Sequence, residues 1–315
     1  MVLAFFLHIS INVERVLDIN TNAERVIEGK RTMKFWKMNG AGNDFILINN
    51  IEEQLPYDKV PEMVRIICER HMSIGADGVM LIDKPSKDYE GKADYRMLFY
   101  NSDGSSGEMC GNGARCICRY GYETGLSGEI QKVETTAGLV TGKRIDERLY
   151  RVRLNDPGNY RFDEEVEAEG KSFVASYVEL GSPGIPHIAV PMTNLKEIEE
   201  GELFRIGRSL RYNPTYPKGC NVNFYEIIGE DYLYERTYER GVEDFTYACG
   251  TGTGSVVTIL TLQGKVSGKN TRVDMRGGTL YIDVVRHENK VTDLYLTGPT
   301  NIVCKGEIFD EDLVI

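Results

Sequence analysis

At 315 residues the chain is long enough for two domains of ordinary size, and its 41% hydrophobic fraction suffices to build buried cores. A net charge of −11 argues against nucleic acid or anionic lipid as the main partner. No apolar run approaches the ~20 residues a membrane helix needs. Met1 to Leu7 lacks a basic leading region and soon meets His8, Asn12, Glu14 and Arg15, so it does not read as a signal peptide. Seven cysteines, an odd number, fit a reducing cytoplasmic compartment and leave thiols free for chemistry.

In chain order, residues 1–32 read as a charged, Asn-rich N-terminal extension, and Met33 opens a strand pattern. A Gly-rich turn at Asn39 to Gly42 precedes an apolar strand from Phe45 to Ile48. Val60, Val64, Ile67 and Cys68 share a helix face behind Pro61. Strands follow at Val79 to Ile82 and Tyr95 to Tyr100, then the loop NSDGSSGEMCGNG. Further strands are expected at Gln131 to Thr136, Arg148 to Leu154 and Phe173 to Leu180, with Pro157-Gly158 and the acidic run DEEVEAEG marking a domain junction near residues 152–170. A helix fits Leu195 to Arg211. Strands follow at Val222 to Ile228, Tyr232 to Arg240, Thr279 to Val285 and Asp293 to Leu296. The reading is α+β, with halves at 33–152 and 153–290, and 291–315 returning to the first half.

One internal repeat stands out. MCGNGARCICRYGYETG and ACGTGTGSVVTILTLQG each run from Cys-Gly-x-Gly into about three turns of apolar-periodic helix. Both end at a glycine, Gly125 or Gly264, and the cysteines Cys110 and Cys249 lie 139 residues apart. The same device occurs twice in a duplicated chain.

A cysteine just before a helix meets unpaired backbone N–H groups at the positive end of the helix dipole. That placement is expected to lower the thiol pKa toward neutrality. The glycines let a ligand reach the same N–H groups, which suit a carboxylate. A single copy would read as a structural cysteine beside a tight turn. Two copies suit two-base inversion at an α-carbon, in which one thiolate takes a proton and the opposite thiol gives one. The helix starts would stabilise charge gathering on the carboxylate, and the scheme calls for no metal or organic cofactor.

MKFWKMNGAGNDF, NSDGSSGEMCGNGARC and YERGVEDFTYACGTGTG resemble the signature segments of the diaminopimelate epimerase family, in consistent order from Met33 to near the C-terminus. The resemblance implies two pseudo-symmetric α/β halves, each a mixed sheet wrapped around a central helix, with the active site in the cleft between them. It implies Cys110 and Cys249 as the acid/base pair, and Gly111, Asn112, Gly250 and Thr251 as the carboxylate cradle. Asn43, Asn101, Asn221, Glu239 and Arg240 match substrate-contacting positions, with Arg240 on a distal carboxylate. His187 and Glu239 match residues that tune the thiols. A small amino-acid substrate and a homodimer follow from the same likeness, while the charge balance and the lack of a long apolar run point to no nucleic-acid or membrane partner.

Three positions depart from the family pattern. Ile185 stands where an asparagine is common, Gly78 where some members carry glutamine, and Phe245 where an acidic residue is common. The reacting centre is intact and the distal recognition is altered, which keeps a cofactor-independent racemase of another amino acid, such as histidine, as the alternative. Hydroxyproline epimerase and proline racemase share the two-cysteine logic without GAGNDF and ERG in this form. The different-class rival is a cysteine-rich metal-binding protein built on Cys110, Cys116 and Cys118, whose spacing lacks a second CxxC or paired histidines.

Overall fold

The computed structural model describes residues 26–27, 30–107, 110–182, 184–288, 290–309 and 311–313. Most of the expected N-terminal extension lies outside them; within it, Val26–Ile27 pairs antiparallel with Lys30–Arg31.

The first half runs β1 (Met33–Gly40), β2 (Asn43–Asn49), α1 (Val60–Cys68), β3 (Gly78–Asp83), β4 (Tyr95–Asn101), α2 (Gly111–Glu123), β5 (Ile130–Thr135), β6 (Gly138–Arg144) and β7 (Leu149–Leu154). The second runs β8 (Pro157–Ala168), β9 (Lys171–Leu180), β10 (Ile185–Pro191), α3 (Glu200–Arg211), β11 (Asn221–Gly229), β12 (Tyr232–Glu239), α4 (Gly250–Leu262), β13 (Thr271–Met275), β14 (Gly278–His287) and β15 (Lys290–Pro299). A last strand, β16 (Asn301–Ile308), follows.

Pairing repeats between the halves. From β1 to β6 the successive pairings are antiparallel, parallel, antiparallel, parallel and antiparallel. The order from β9 to β14 is the same. β8 pairs antiparallel with β9, and β16 returns to pair antiparallel with β1, filling the same place in the first half. β7 and β15 pair with each other and join the halves into one closed sheet. The architecture is α+β in two repeated halves. Each sheet wraps its own helix: α2 packs on β1, β6 and β7, and α4 on β9, β10, β14 and β15.

Register fixes which residues correspond. Phe45 pairs with Gly78 across β2–β3, and His187 with Asn221 across β10–β11. Met80 faces Phe99 across β3–β4, where Asn223 faces Thr237 across β11–β12. The helices α2 and α4 end before Gly125 and Gly264, both at positive φ (73° and 71°), the conformation a glycine after a C-cap adopts without Cβ strain.

Several expectations change. Within the expected interval 152–170, β7 ends at Leu154 and β8 begins at Pro157, and the acidic residues 163–168 lie inside that strand. Among the described residues β8 pairs with β9 alone, and most of its charged side chains are exposed, as an edge strand's are. A boundary at 152–153 would cut β7. β15 pairs with β14 of the second half and with β7 of the first, and β16 then pairs with β1. The helix expected from Leu195 starts at Glu200, because the Glu199 side chain accepts from the Glu202 N–H at 3.0 Å and sets the N-cap. Nor is α4 amphipathic. It is buried on nearly every side by the sheet around it, so no polar stripe is needed.

Candidate active site

The two helix starts meet. A Cβ placed on Gly250 would stand 3.7 Å from the Gly111 Cα, and Leu296 packs beside both glycines. Cys110 and Cys249 are the N-caps, each in extended conformation (φ −124° and −116°). Each sulfur accepts a backbone N–H three residues on: Gly113 to Cys110 Sγ at 3.5 Å, Gly252 to Cys249 Sγ at 3.4 Å. Both open onto one cleft of about 890 Å³.

Ten of the twelve site residues expected from sequence line that cleft: Asn43, Asn101, Cys110, Gly111, Asn112, Glu239, Arg240, Cys249, Gly250 and Thr251. Asn43 Oδ1 accepts from Cys110 Sγ at 3.5 Å, while its Nδ2 donates to Asp77 at 2.5 Å. Asn112 spends its amide on the join between halves, donating to the Ala248 carbonyl at 3.0 Å. Thr251 Oγ1 lies 3.5 Å from Cys249 Sγ. Arg240 is exposed at the rim, with one N–H on the Lys218 carbonyl at 3.2 Å. Asn101 donates to Ser105 Oγ at 3.0 Å.

The other two stand behind the wall. Asn221 is buried; it accepts the Arg240 N–H at 2.8 Å and donates to the Pro186 carbonyl at 3.3 Å, so it shapes the turn that carries Arg240. His187 is fully buried, 3.4 Å from Asn223 Nδ2, and its Nε2 has no partner. It makes no hydrogen bond to either sulfur among the described residues. Burial first, then the charge of Arg240, lowers His187 to about 3, so the ring is neutral.

The thiols do not follow the helix-dipole expectation. Burial pushes Cys110 up to about 11, and the N–H groups of Gly113 and Asn112 offset only part of this. Burial, then the Glu239 charge, raises Cys249 further. Desolvation of a thiolate outweighs two N–H bonds. Glu239 is itself raised by burial, opposed by Thr246 Oγ1 at 2.5 Å and by the Cys249 thiol.

The sequence reading missed Asp77, Thr246 and Tyr247, which also line the cleft. Asp77 carries the one signal available, a carboxylate in the Gly-rich IGADG turn. At Gly78 the space a larger side chain would take is filled: a Cβ there would fall 2.5 Å from the Tyr100 carbonyl oxygen and 2.7 Å from the Phe99 ring. Ile185 and Gly78 do not line the cleft, while Phe245 does. The Phe245 ring lies under the Arg236 guanidinium, 4.3 Å away. Cys116 and Cys118 are fully buried, against Gly40 and Gly142 respectively, and no group of three or more His, Cys, Asp or Glu is placed to hold a metal among the described residues.

The family model for diaminopimelate epimerase matches residues 35–155 and 180–303. The chain belongs to the diaminopimelate epimerase family. By that membership it is an isomerase. It is 34% identical over 289 residues to the diaminopimelate epimerase of Aquifex aeolicus strain VF5, covering 89% of this chain and 99% of that one. The corresponding protein of Archaeoglobus fulgidus is 36% identical over 285 residues, covering 86% and 95%. Among solved structures, a phenazine biosynthesis protein of the PhzF family from Bacillus anthracis superposes with a TM-score of 0.67 at 15% identity, over 89% of this chain and all of that one. A hydroxyproline epimerase from Agrobacterium vitis gives 0.63 at 18% identity, over 89% and 91%. These two likenesses carry the fold. No helix among the described residues is long and apolar enough to cross a membrane.

Proposed function

We propose that this family member converts LL-diaminopimelate to the meso form by two-base inversion, in lysine and peptidoglycan-precursor biosynthesis. The observation that carries the reading is the meeting of two cysteine-capped helix starts at Gly111 and Gly250 in one cleft. One sulfur, as thiolate, removes the α-proton, and the electron pair moves onto the carboxylate. The other thiol delivers its proton to the opposite face and becomes the thiolate, so the number of protons is unchanged. Backbone N–H groups at Gly111, Asn112, Gly250 and Thr251 cradle the carboxylate as its charge grows. Glu239 accepts from the Cys249 thiol and can hold its proton. Arg240 at the rim takes the distal carboxylate. The scheme calls for no metal or organic cofactor.

The enzyme works, on this reading, as a cytoplasmic homodimer on a small amino acid. All seven cysteines are free, which supports a reducing compartment; the homodimer is implied by the family likeness. The test is α-hydrogen exchange in D2O across a panel of amino acids with purified protein. With LL-diaminopimelate, deuterium is expected at the inverted centre of the meso product. Exchange into histidine or another one-centre amino acid, with none into diaminopimelate, would transfer the chemistry to a racemase.

A further inference from the structure

Arg115 is the largest fully buried side chain among the described residues. Its Nη1 donates to the Gly111 carbonyl at 3.3 Å and its Nη2 to Asn112 Oδ1 at 3.0 Å, while Nε has no partner among the described residues. Among the described residues no carboxylate acts on it; the charges it meets there are those Cys110 and Cys116 would carry as thiolates. A buried cation without an anion is expensive, since desolvation of a full charge costs several kcal/mol that hydrogen bonds to neutral groups only partly offset. The position of this cation says what offsets it. It is anchored on the first turn of α2, and the Asn112 oxygen it binds lies 3.7 Å from where a Cβ on Gly250 would stand. The guanidinium thus sits directly behind the junction of the two helix starts.

We propose that Arg115 is a positioning residue that supplies a fixed positive charge behind the carboxylate cradle, making the junction of the two helix starts an anion site. It touches no substrate. It acts through Asn112, whose amide it orients across the join, and through its field on the cradle and on Cys110. The inference rests on the two-thiol reading of the cleft, but its test does not depend on turnover.

The probes are iodoacetate and iodoacetamide, one anionic and one neutral, with alkylation followed at each cysteine by peptide mass spectrometry. The ratio of the two rates reports the local potential, and exposed Cys304 serves as the internal reference. In the wild type, the iodoacetate preference at Cys110 should exceed that at Cys304 by about tenfold, the size of one unit of charge interaction. Arg115→Met and Arg115→Gln should remove most of that preference, while Arg115→Lys keeps it. An equal ratio at Cys110 in wild type and a folded Met or Gln variant would overturn the proposal. If neither neutral variant folds, the wild-type measurement decides: no preference at Cys110 over Cys304 overturns it. These outcomes are scored whichever amino acid the enzyme inverts, so failure here is distinct from failure of the diaminopimelate reading.

Discussion

The two halves present the same helix start on different floors. Under Cys110 the strand positions are Phe45, Met80 and Phe99; at the corresponding places under Cys249 stand His187, Asn223 and Thr237. The same glycine of each helix touches the same floor position. A Cβ on Gly113 would meet Met80 Cε at 1.8 Å, and one on Gly252 would meet Asn223 Oδ1 at 2.2 Å. The apolar floor needs nothing but packing. The polar one is held by a buried network in which Thr237 Oγ1 donates to Asn223 Oδ1 at 3.0 Å and Asn223 Nδ2 donates to the Ile188 carbonyl at 2.9 Å. Duplication preserved the backbone device and let the two surroundings diverge, so the two thiols are chemically unequal.

The comparison breaks most visibly if either thiol is dispensable. Cys110→Ser and Cys249→Ser should each lower the epimerisation rate on the order of a hundredfold or more, the usual scale for general acid–base groups. Cys304→Ser, on an exposed strand, should leave it unchanged. Near-normal rates in either active-site variant would remove the basis for pairing the halves.

Stability distinguishes the floors. Gly252→Ala drives a methyl into an amide fixed on both sides and should cost about 1–3 kcal/mol by denaturant unfolding, as overpacking does. Gly113→Ala meets the flexible end of Met80, and its gain in helix propensity, about 1 kcal/mol, offsets the displacement. Equal losses would show that the floors do not differ in rigidity.

His187 gives the polar half a pH signature. Its native pKa is depressed, so its stabilising effect is present above the unfolded value near 6.5 and is lost as pH falls toward about 3. His187→Phe, which copies Phe45 of the other half, should flatten the fall in unfolding free energy between pH 6.5 and acid by up to about 1.4 kcal/mol per pH unit, read by denaturant unfolding. Parallel acid slopes in the two proteins would contradict a buried neutral histidine.

The smallest effect is expected at Glu235, buried on the polar side and raised to about 8 by burial. Its carboxyl is neutral at pH 7, so Glu235→Gln should not change the rate there. A raised carboxyl favours folding below its unfolded pKa and loses that advantage as pH rises through about 8. The variant should therefore gain stability relative to wild type across that interval, measurable by melting at several pH values.

What the sequence made legible follows from the same contrast. Cys-Gly-x-Gly opening a helix is a local pattern, so the paired cysteine-capped helix starts and the duplication could be read from residues alone. The floors could not. His187 and Asn221 lie far from the cysteines in sequence, and only strand register shows that they support the wall instead of lining it. β8 was hidden because an edge strand with charges on both faces reads as a loop. Arg115 was in plain view inside CGNGARC, but its lack of an acidic partner is a property of the packed core. The thiol pKa values inverted the expectation because helix-start N–H bonds are visible in a sequence and desolvation is not.

The central claim, that two thiols serve opposite faces of one carbon, is tested most directly by running the wild-type reaction on LL-diaminopimelate in D2O and stopping it within the first turnovers. The account predicts meso product carrying deuterium at the inverted centre while the unreacted LL substrate remains unlabelled, because the acid on the far face holds a solvent-derived proton. Substrate and product labelled at equal rates, or product retaining the substrate's own hydrogen, would point to a single base and contradict it.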